Sequence, residues 1–177
     1  MKMISLDANA VLDLCYRFYG TQVFEGLWGN LQACVAANQI RFFITPSIHE
    51  EVTSYITLHD LDASIFDKFI TEYKVHFPDT DEFGSSTLEL KETLLGFRAA
   101  SRSPHVIRDN YGDSDIVSFA KSLGNNAIVL TSETRSKILN WQNPEHQRHI
   151  KVPNLCELFQ VECMNWFNLF NYLGHRY

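Results

Sequence analysis

An α/β fold with a largely parallel sheet is the class this sequence predicts, and two observations predict it. Short apolar runs of strand length, at residues 3–6, 39–45 and 127–131, alternate with longer stretches whose apolar residues recur at helical spacing. No internal repeat, low-complexity tract or linker interrupts the pattern, so the 177 residues are expected to form a single domain, 1–177.

Residues 3–6 read as a short buried strand. A helix over 9–19 follows, with Val11, Leu12, Cys15, Phe18 and Tyr19 as its stripe. Gly20 ends it, and Thr21 is the expected cap of a second helix carrying Val23, Phe24, Leu27, Leu31, Cys34 and Val35. After the strand at 39–45, Thr45 and Pro46 suit the N-cap and first turn of a helix running toward Ile56. Residues 62–73 form another, with Ile65, Phe66, Phe69 and Ile70 inward. An acidic loop over 75–86 leads to a helix over 86–100, capped by Ser85 or Ser86. Residues 99–111 read as an exposed connection. Gly124 ends a helix over 112–123. Beyond the strand at 127–131, residues 132–149 read as loop with a helical turn at 135–141. Lys151-Val152-Pro153 reads as extended, Asn154 as the cap of 155–159, and 163–173 as the closing helix.

The hydrophobic fraction is 45% and the charged fraction 20%, ordinary for a globular protein. No uninterrupted apolar run reaches membrane-spanning length, and Asp7 comes too early for a secretory signal, so a cytoplasmic protein without a membrane partner is expected. Cys15, Cys34, Cys156 and Cys163 are scattered, with no Cys-x-x-Cys pair, which speaks against a zinc or redox motif and for reduced, mostly buried thiols. A net charge of −6 argues against unspecific coating of nucleic acid. The sign is uneven: residues 60–92 are strongly acidic, whereas Arg98, Arg102, His105 and Arg108, and then Arg135, Lys137, Arg148, His149 and Lys151, form two basic stretches. A phosphate-binding rim beside an acidic centre needs such asymmetry, and ordinary solvated faces produce it too.

Four acids stand where a parallel sheet gathers ligands, at or near the carboxyl ends of strands. Asp7 leaves the first strand. Glu51 lies one turn into the helix after the second. Asp113 heads the helix over 112–123, and Glu133 follows the third strand. Carboxylates crowded together repel unless a proton or cation neutralises them, and a hard divalent cation held by oxygens is the natural resolution. Glu50 and Glu51 point about 100° apart on a helix; Glu51 falls on the stripe of Ile48, Val52 and Tyr55. Asp113 heads the stripe of Ile116 and Val117, while Asp115 sides with Phe119 and Ser122, within reach of a second cation through water. Both also suit the positive end of a helix dipole. Thr131 is placed to donate a hydrogen bond that orients an acid. His-x-x-x-His, Gly-x-Gly-x-x-Gly, P-loop and Gly-x-Ser-x-Gly patterns are missing. Asn9 stands where an aspartyl-phosphate phosphatase needs its second Asp.

Taken together, Ser5-Leu6-Asp7-Ala8-Asn9, Thr45-Pro46 through Glu51-Val52, Gly112-Asp113 through Ala120, and Ile128 through Glu133 make the chain resemble the PIN-domain family. These pieces span roughly residues 1–135 in the family's order. The fourth acid, usually Asp, is here Glu133. Lys151-Val152-Pro153-Asn154-Leu155-Cys156 is similar to the tail of a PIN-like branch. The resemblance implies a three-layer α/β/α domain and a Mg²⁺- or Mn²⁺-dependent ribonuclease, in many bacterial members a toxin held by an antitoxin, often as a homodimer. It implies Asp7, Glu51 and Asp113 as cation ligands, with Asp115 as a further candidate, Glu133 assisting directly or through water, Asn9 and Thr131 as orienting groups, and Arg98, Arg102 and Arg108 as guides for RNA. The competing expectation is a catalytically degenerate PIN-like domain that binds RNA or a partner protein. A structure-specific DNA nuclease ranks last, because no helix reads as a DNA-recognition helix.

Overall fold

The computed structural model describes residues 1–99 and 111–174. Within them, β1 (Lys2–Leu6), β2 (Ile40–Phe43), β3 (Ala127–Leu130) and β4 (Glu162–Met164) form one parallel sheet in the order β2-β1-β3-β4. The helices are α1 (Ala8–Leu12), α2 (Glu25–Ala36), α3 (Pro46–Leu58), α4 (Ala63–Glu72), α5 (Gly84–Ala99), α6 (Tyr111–Ser122), α7 (Val152–Phe159) and α8 (Trp166–Tyr172).

Register assigns each strand residue to a face. Ile4, Phe42 and Ile128 align across the sheet. On their side Phe42 meets Phe69 of α4 at 5.7 Å and Trp166 of α8 at 6.2 Å, and Phe69 meets Trp28 of α2 at 6.1 Å. Ser5, Phe43, Val129 and Cys163 align on the opposite side. There Phe43 packs on Phe119 of α6 at 5.1 Å, and the buried Ser5 hydroxyl donates to the Ile116 carbonyl at 3.2 Å. A small residue at position 5 lets α6 approach the sheet. Helices on both faces make the three-layer α/β/α sandwich that the alternation predicts. Double-sided burial explains why β3 reads as an unbroken apolar run and why Ser5 alone interrupts the run Met3–Leu6 of β1. No described helix is long and apolar enough to cross a membrane. Cys15, Cys34 and Cys156 are buried and Cys163 half-buried, all as thiols.

The chain runs from central β1 outward to β2, then returns to β3 on the other side of β1. The carboxyl ends of β1 and β3 therefore flank the point where strand order reverses, the usual location of a ligand crevice. Asp7 and Thr131 are the residues that leave these two strands. Their amides continue the ladder, Asp7 N–H donating to the Leu130 carbonyl and Thr131 N–H to Met164, both at 2.9 Å.

Several local expectations are corrected. The helix over 9–19 is α1 followed by a π-helical turn at Asp13–Arg17, closed by the Phe18 and Tyr19 amides on the Asp13 carbonyl. The next helix starts at Glu25, not after a Thr21 cap, because the Val23 and Phe24 amides turn back onto the Gly20 carbonyl. Ser85 and Ser86 lie inside α5, which begins at Gly84. The helical turn predicted at 135–141 is absent from the described residues there; a 3₁₀ helix forms instead at Pro144–His149, capped by Asn143 on the Glu145 amide with Pro144 in its first turn. Lys151, not Asn154, is the N-cap of α7, which takes in Val152 and Pro153. Asn154 serves a different purpose: its Oδ1 accepts from the Ser136 amide at 3.1 Å. β4 occupies the start of the segment predicted as a helix over 163–173, and Asn165 caps the shorter α8 by accepting from the Asn168 amide. The connection over 99–111 falls largely outside the described residues.

Candidate active site

Asp7 sits at the junction of β1 and α1 with extended backbone (φ −79°, ψ 152°), and only 3% of it is exposed. Its Oδ2 accepts a 2.6 Å hydrogen bond from the Thr131 hydroxyl. Burial and the negative charges of Asp113 and Glu133 push its carboxyl up to about 7; the Thr131 hydroxyl and the Ala8 amide pull the other way without cancelling them. Asp7 is thus a carboxylate that the fold has stripped of water and surrounded with like charge.

Glu51 reaches the same place from α3. Its carboxyl is raised by burial first, then by Asp7 and Glu133. Gly112, opening α6, leaves room for it: a Cβ built there would lie 3.2 Å from Glu51 Oε2 and 3.0 Å from Ile48 Cδ1. Both Glu51 and its neighbour Glu50 are exposed side chains, so what separates them is direction: Glu51 Oε2 lies against the start of α6. Asp113 is half-buried in the first turn of α6, and its charge acts on Asp7. Asp115 is engaged differently. Its Oδ2 accepts from the Ser47 hydroxyl at 2.7 Å, and Lys91 of α5 stands 4.0 Å from Oδ1, so it braces α6 against the first turn of α3.

Glu133 is tied down at both oxygens. Oε1 accepts from Lys151 Nζ at 2.7 Å, and Oε2 from the Val152 amide at 2.9 Å, so it caps α7. Its own amide donates to Thr131 Oγ1 at 3.1 Å. Lys151 is held in its charged form chiefly by Glu133, with further help from Asp113 and Asp7.

The other expected residues sort as follows. Thr131 is buried and bonds directly to Asp7. Asn9 accepts from Arg17 Nη1 at 3.2 Å; among the described residues it bonds to none of the four acids. Arg98 falls at the end of α5, and Arg102 and Arg108 lie outside the described residues. Three features escaped the sequence reading. One is the Lys151–Glu133 clamp, hinted at by Pro153, which marks a helix start needing a cap. Another is the close approach at Gly112. The last is buried Asp13, bridged to Arg17 at 3.4 Å, whose guanidinium lies 5.1 Å over the Tyr55 ring.

The donors contributed by Asp7, Glu51 and Asp113 are all carboxylate oxygens, the chemistry that suits Mg²⁺ or Mn²⁺ and not zinc or copper. The Asp7 carboxyl, raised by burial first and then by the charges of Asp113 and Glu133, is a buried acid that such an ion would keep ionised. Among the described residues no three His, Cys, Asp or Glu side chains already stand together as a preformed metal cage.

No curated protein matches this chain closely enough to count as a relative. A family model matches residues 4–177, almost the whole chain, and the protein therefore belongs to the family described as a domain of unknown function, DUF4411.

Proposed function

We propose that this protein is a Mg²⁺- or Mn²⁺-dependent ribonuclease of the PIN-like type that hydrolyses RNA phosphodiester bonds. The observation that carries the reading is Asp7: buried at the strand-order reversal, with its carboxyl pushed up to about 7 by burial and by the charges of Asp113 and Glu133. A structural role alone does not require a cluster this unfavourable, whereas an oxygen-bound dication turns it into a binding site.

Asp7, Glu51 and Asp113 would hold the ion. Bound there, it would supply Lewis acidity toward a phosphodiester and a water of lowered pKa. Thr131 fixes the Asp7 carboxylate through its 2.6 Å hydrogen bond. Gly112 keeps the Glu51 carboxylate close to the start of α6. Ser47 holds Asp115, which keeps α6 and its Asp113 in place relative to α3. The partners that go with this reading are an RNA substrate, an antitoxin protein and a second copy of the chain, in the cytoplasm.

The second reading, an RNA- or protein-binding domain without catalysis, draws on the engagement of both Glu133 oxygens by Lys151 and Val152. A cleavage assay with Mn²⁺ on single-stranded RNA, comparing the native chain with Asp7→Asn and Asp113→Asn, decides between them. Metal-dependent cleavage lost in both variants supports the nuclease. RNA retention without cleavage by the native chain supports the binder.

A further inference from the structure

We propose that Lys151 is the residue that grips a phosphate of the substrate beside the acidic cluster, and that Glu133 is the positioning residue that aims it. This rests on the reading of the site as one that takes RNA.

The placement is specific. Lys151 Nζ lies 2.7 Å from Glu133 Oε1, while Glu133 Oε2 is pinned by the Val152 amide at 2.9 Å. The carboxylate is therefore fixed in orientation by the first amide of α7, and it fixes the ammonium in turn. Glu133 N–H donates to Thr131 Oγ1, and the Thr131 hydroxyl donates to Asp7. Glu133 thus connects the two ends of the site, holding the ammonium with its carboxylate and, through its backbone amide, the Thr131 hydroxyl that bonds the buried acid. The two ends differ in access: the Lys151 side chain is 47% exposed and that of Glu133 only 18%. The cation forms the outer face of the pair and the anion the inner face.

An ammonium has three donors, and the Glu133 contact occupies one. A non-bridging phosphate oxygen is a suitable further acceptor, and a lysine serves it as a point charge. The need is electrostatic. A polyanion approaching Asp7, Glu51 and Asp113 meets repulsion that a fixed cation at the rim offsets. Arg135, in the same basic stretch, is turned the other way: both its prongs go to Glu157, at 2.8 and 2.9 Å, whereas the partner of Lys151 is the residue that also bonds Thr131. On this assignment Glu133 is not an ion ligand.

The test measures binding of a short fluorescent single-stranded RNA by anisotropy across a KCl series, with Ca²⁺ replacing Mn²⁺ to suppress turnover. The same RNA is then used for Mn²⁺-dependent cleavage. The native chain is compared with Lys151→Ala, Lys151→Arg and Glu133→Gln, each checked for a native unfolding transition. Lys151→Ala is expected to weaken binding roughly tenfold and to flatten the log–log salt slope by about 0.7, one single-strand phosphate contact. Lys151→Arg recovers part of the affinity with the full slope. Glu133→Gln keeps the slope, raises KM more than it lowers kcat, and leaves the Mn²⁺ concentration for half-maximal rate unchanged. Unchanged affinity and slope in Lys151→Ala overturn the Lys151 assignment, and if the native chain still cleaves RNA the nuclease reading stands without it. A shifted Mn²⁺ requirement in Glu133→Gln overturns its positioning role. Weakened binding in Lys151→Ala with no cleavage by the native chain upholds Lys151 and removes the nuclease reading. A native chain that neither binds nor cleaves RNA overturns both.

Discussion

Replacing Asp7 with Asn is expected to stabilise the metal-free protein at neutral and alkaline pH. The native carboxyl rises from 3.8 to about 7 on folding. Between those values the folded chain binds a proton that the unfolded chain has lost, so stability falls as pH rises across that window and the full penalty applies above pH 7. At about 1.4 kcal/mol per pH unit, the rise corresponds to about 4 kcal/mol. Asn keeps an oxygen for the Thr131 hydroxyl but sets an amide group where the second carboxylate oxygen was, a loss of about 1 kcal/mol. The net gain is about 3 kcal/mol, or a Tm increase of roughly 6–12 °C for a chain of this size. Below about pH 4.5 the native carboxyl is protonated, the penalty vanishes and the order reverses. Thermal unfolding of both proteins in EDTA from pH 4 to 8.5 reads this directly. Adding Mn²⁺ at pH 8 should raise the native Tm and narrow the gap, because only the native site gains by binding the ion. A variant that is no more stable than the native chain at pH 8, with a Tm difference that does not move with pH, would refute the claim that Asp7 is held ionised at a cost.

Thr131→Val removes the hydrogen bond that restrains Asp7, so its carboxyl should rise further and Mn²⁺-dependent cleavage should drop roughly 10–100-fold, measured as kcat/KM across Mn²⁺ concentrations. Gly112→Ala sets a methyl 3.2 Å from Glu51 Oε2 and 3.0 Å from Ile48 Cδ1. Helix propensity offsets the crowding, so unfolding in urea should shift by no more than about 1 kcal/mol while cleavage falls with the displaced Glu51. Phe42→Ala empties the centre of the aromatic layer formed with Phe69, Tyr73 and Trp166 and should cost about 3–5 kcal/mol in urea unfolding. Arg135→Ala breaks an exposed ion pair with Glu157 and should change stability by less than about 1 kcal/mol.

The central strands, and where the four acids stand relative to them, are legible because each depends on short-range pattern. Residues 3–6, 40–43 and 127–130 carry apolar side chains on nearly every position, as strands buried on both faces must. Thr131 is legible as an orienting donor because it directly follows β3, two positions before Glu133. What escaped involves contacts distant in sequence. β4 has three residues, Glu162, Cys163 and Met164, and no β-branched side chain; pairing with β3, not propensity, makes it a strand. Lys151 and Glu133 lie 18 positions apart, so their clamp leaves no periodic trace; Lys151 reads only as one more charge in a basic stretch, and Glu133 only as the fourth acid of the candidate ion site. Asn154 reads as a helix cap by residue type, yet its partner is Ser136 on a separate loop. Glu51 over Glu50 followed from the helical stripe, whereas the space Gly112 gives it needs the α3–α6 packing to be seen.

The π-helical turn at Asp13–Arg17 brings Arg17 to both Asn9 and Asp13, with its guanidinium 5.1 Å over the Tyr55 ring. Such a turn holds one residue more than the α-turn it interrupts. Losing one residue there relaxes the backbone to α geometry and leaves the flanking segments near their present facing. Losing one from α1 itself rotates whatever follows by about 100° around the axis. The turn is thus a place where the chain absorbs a change of length that the regular helix before it does not.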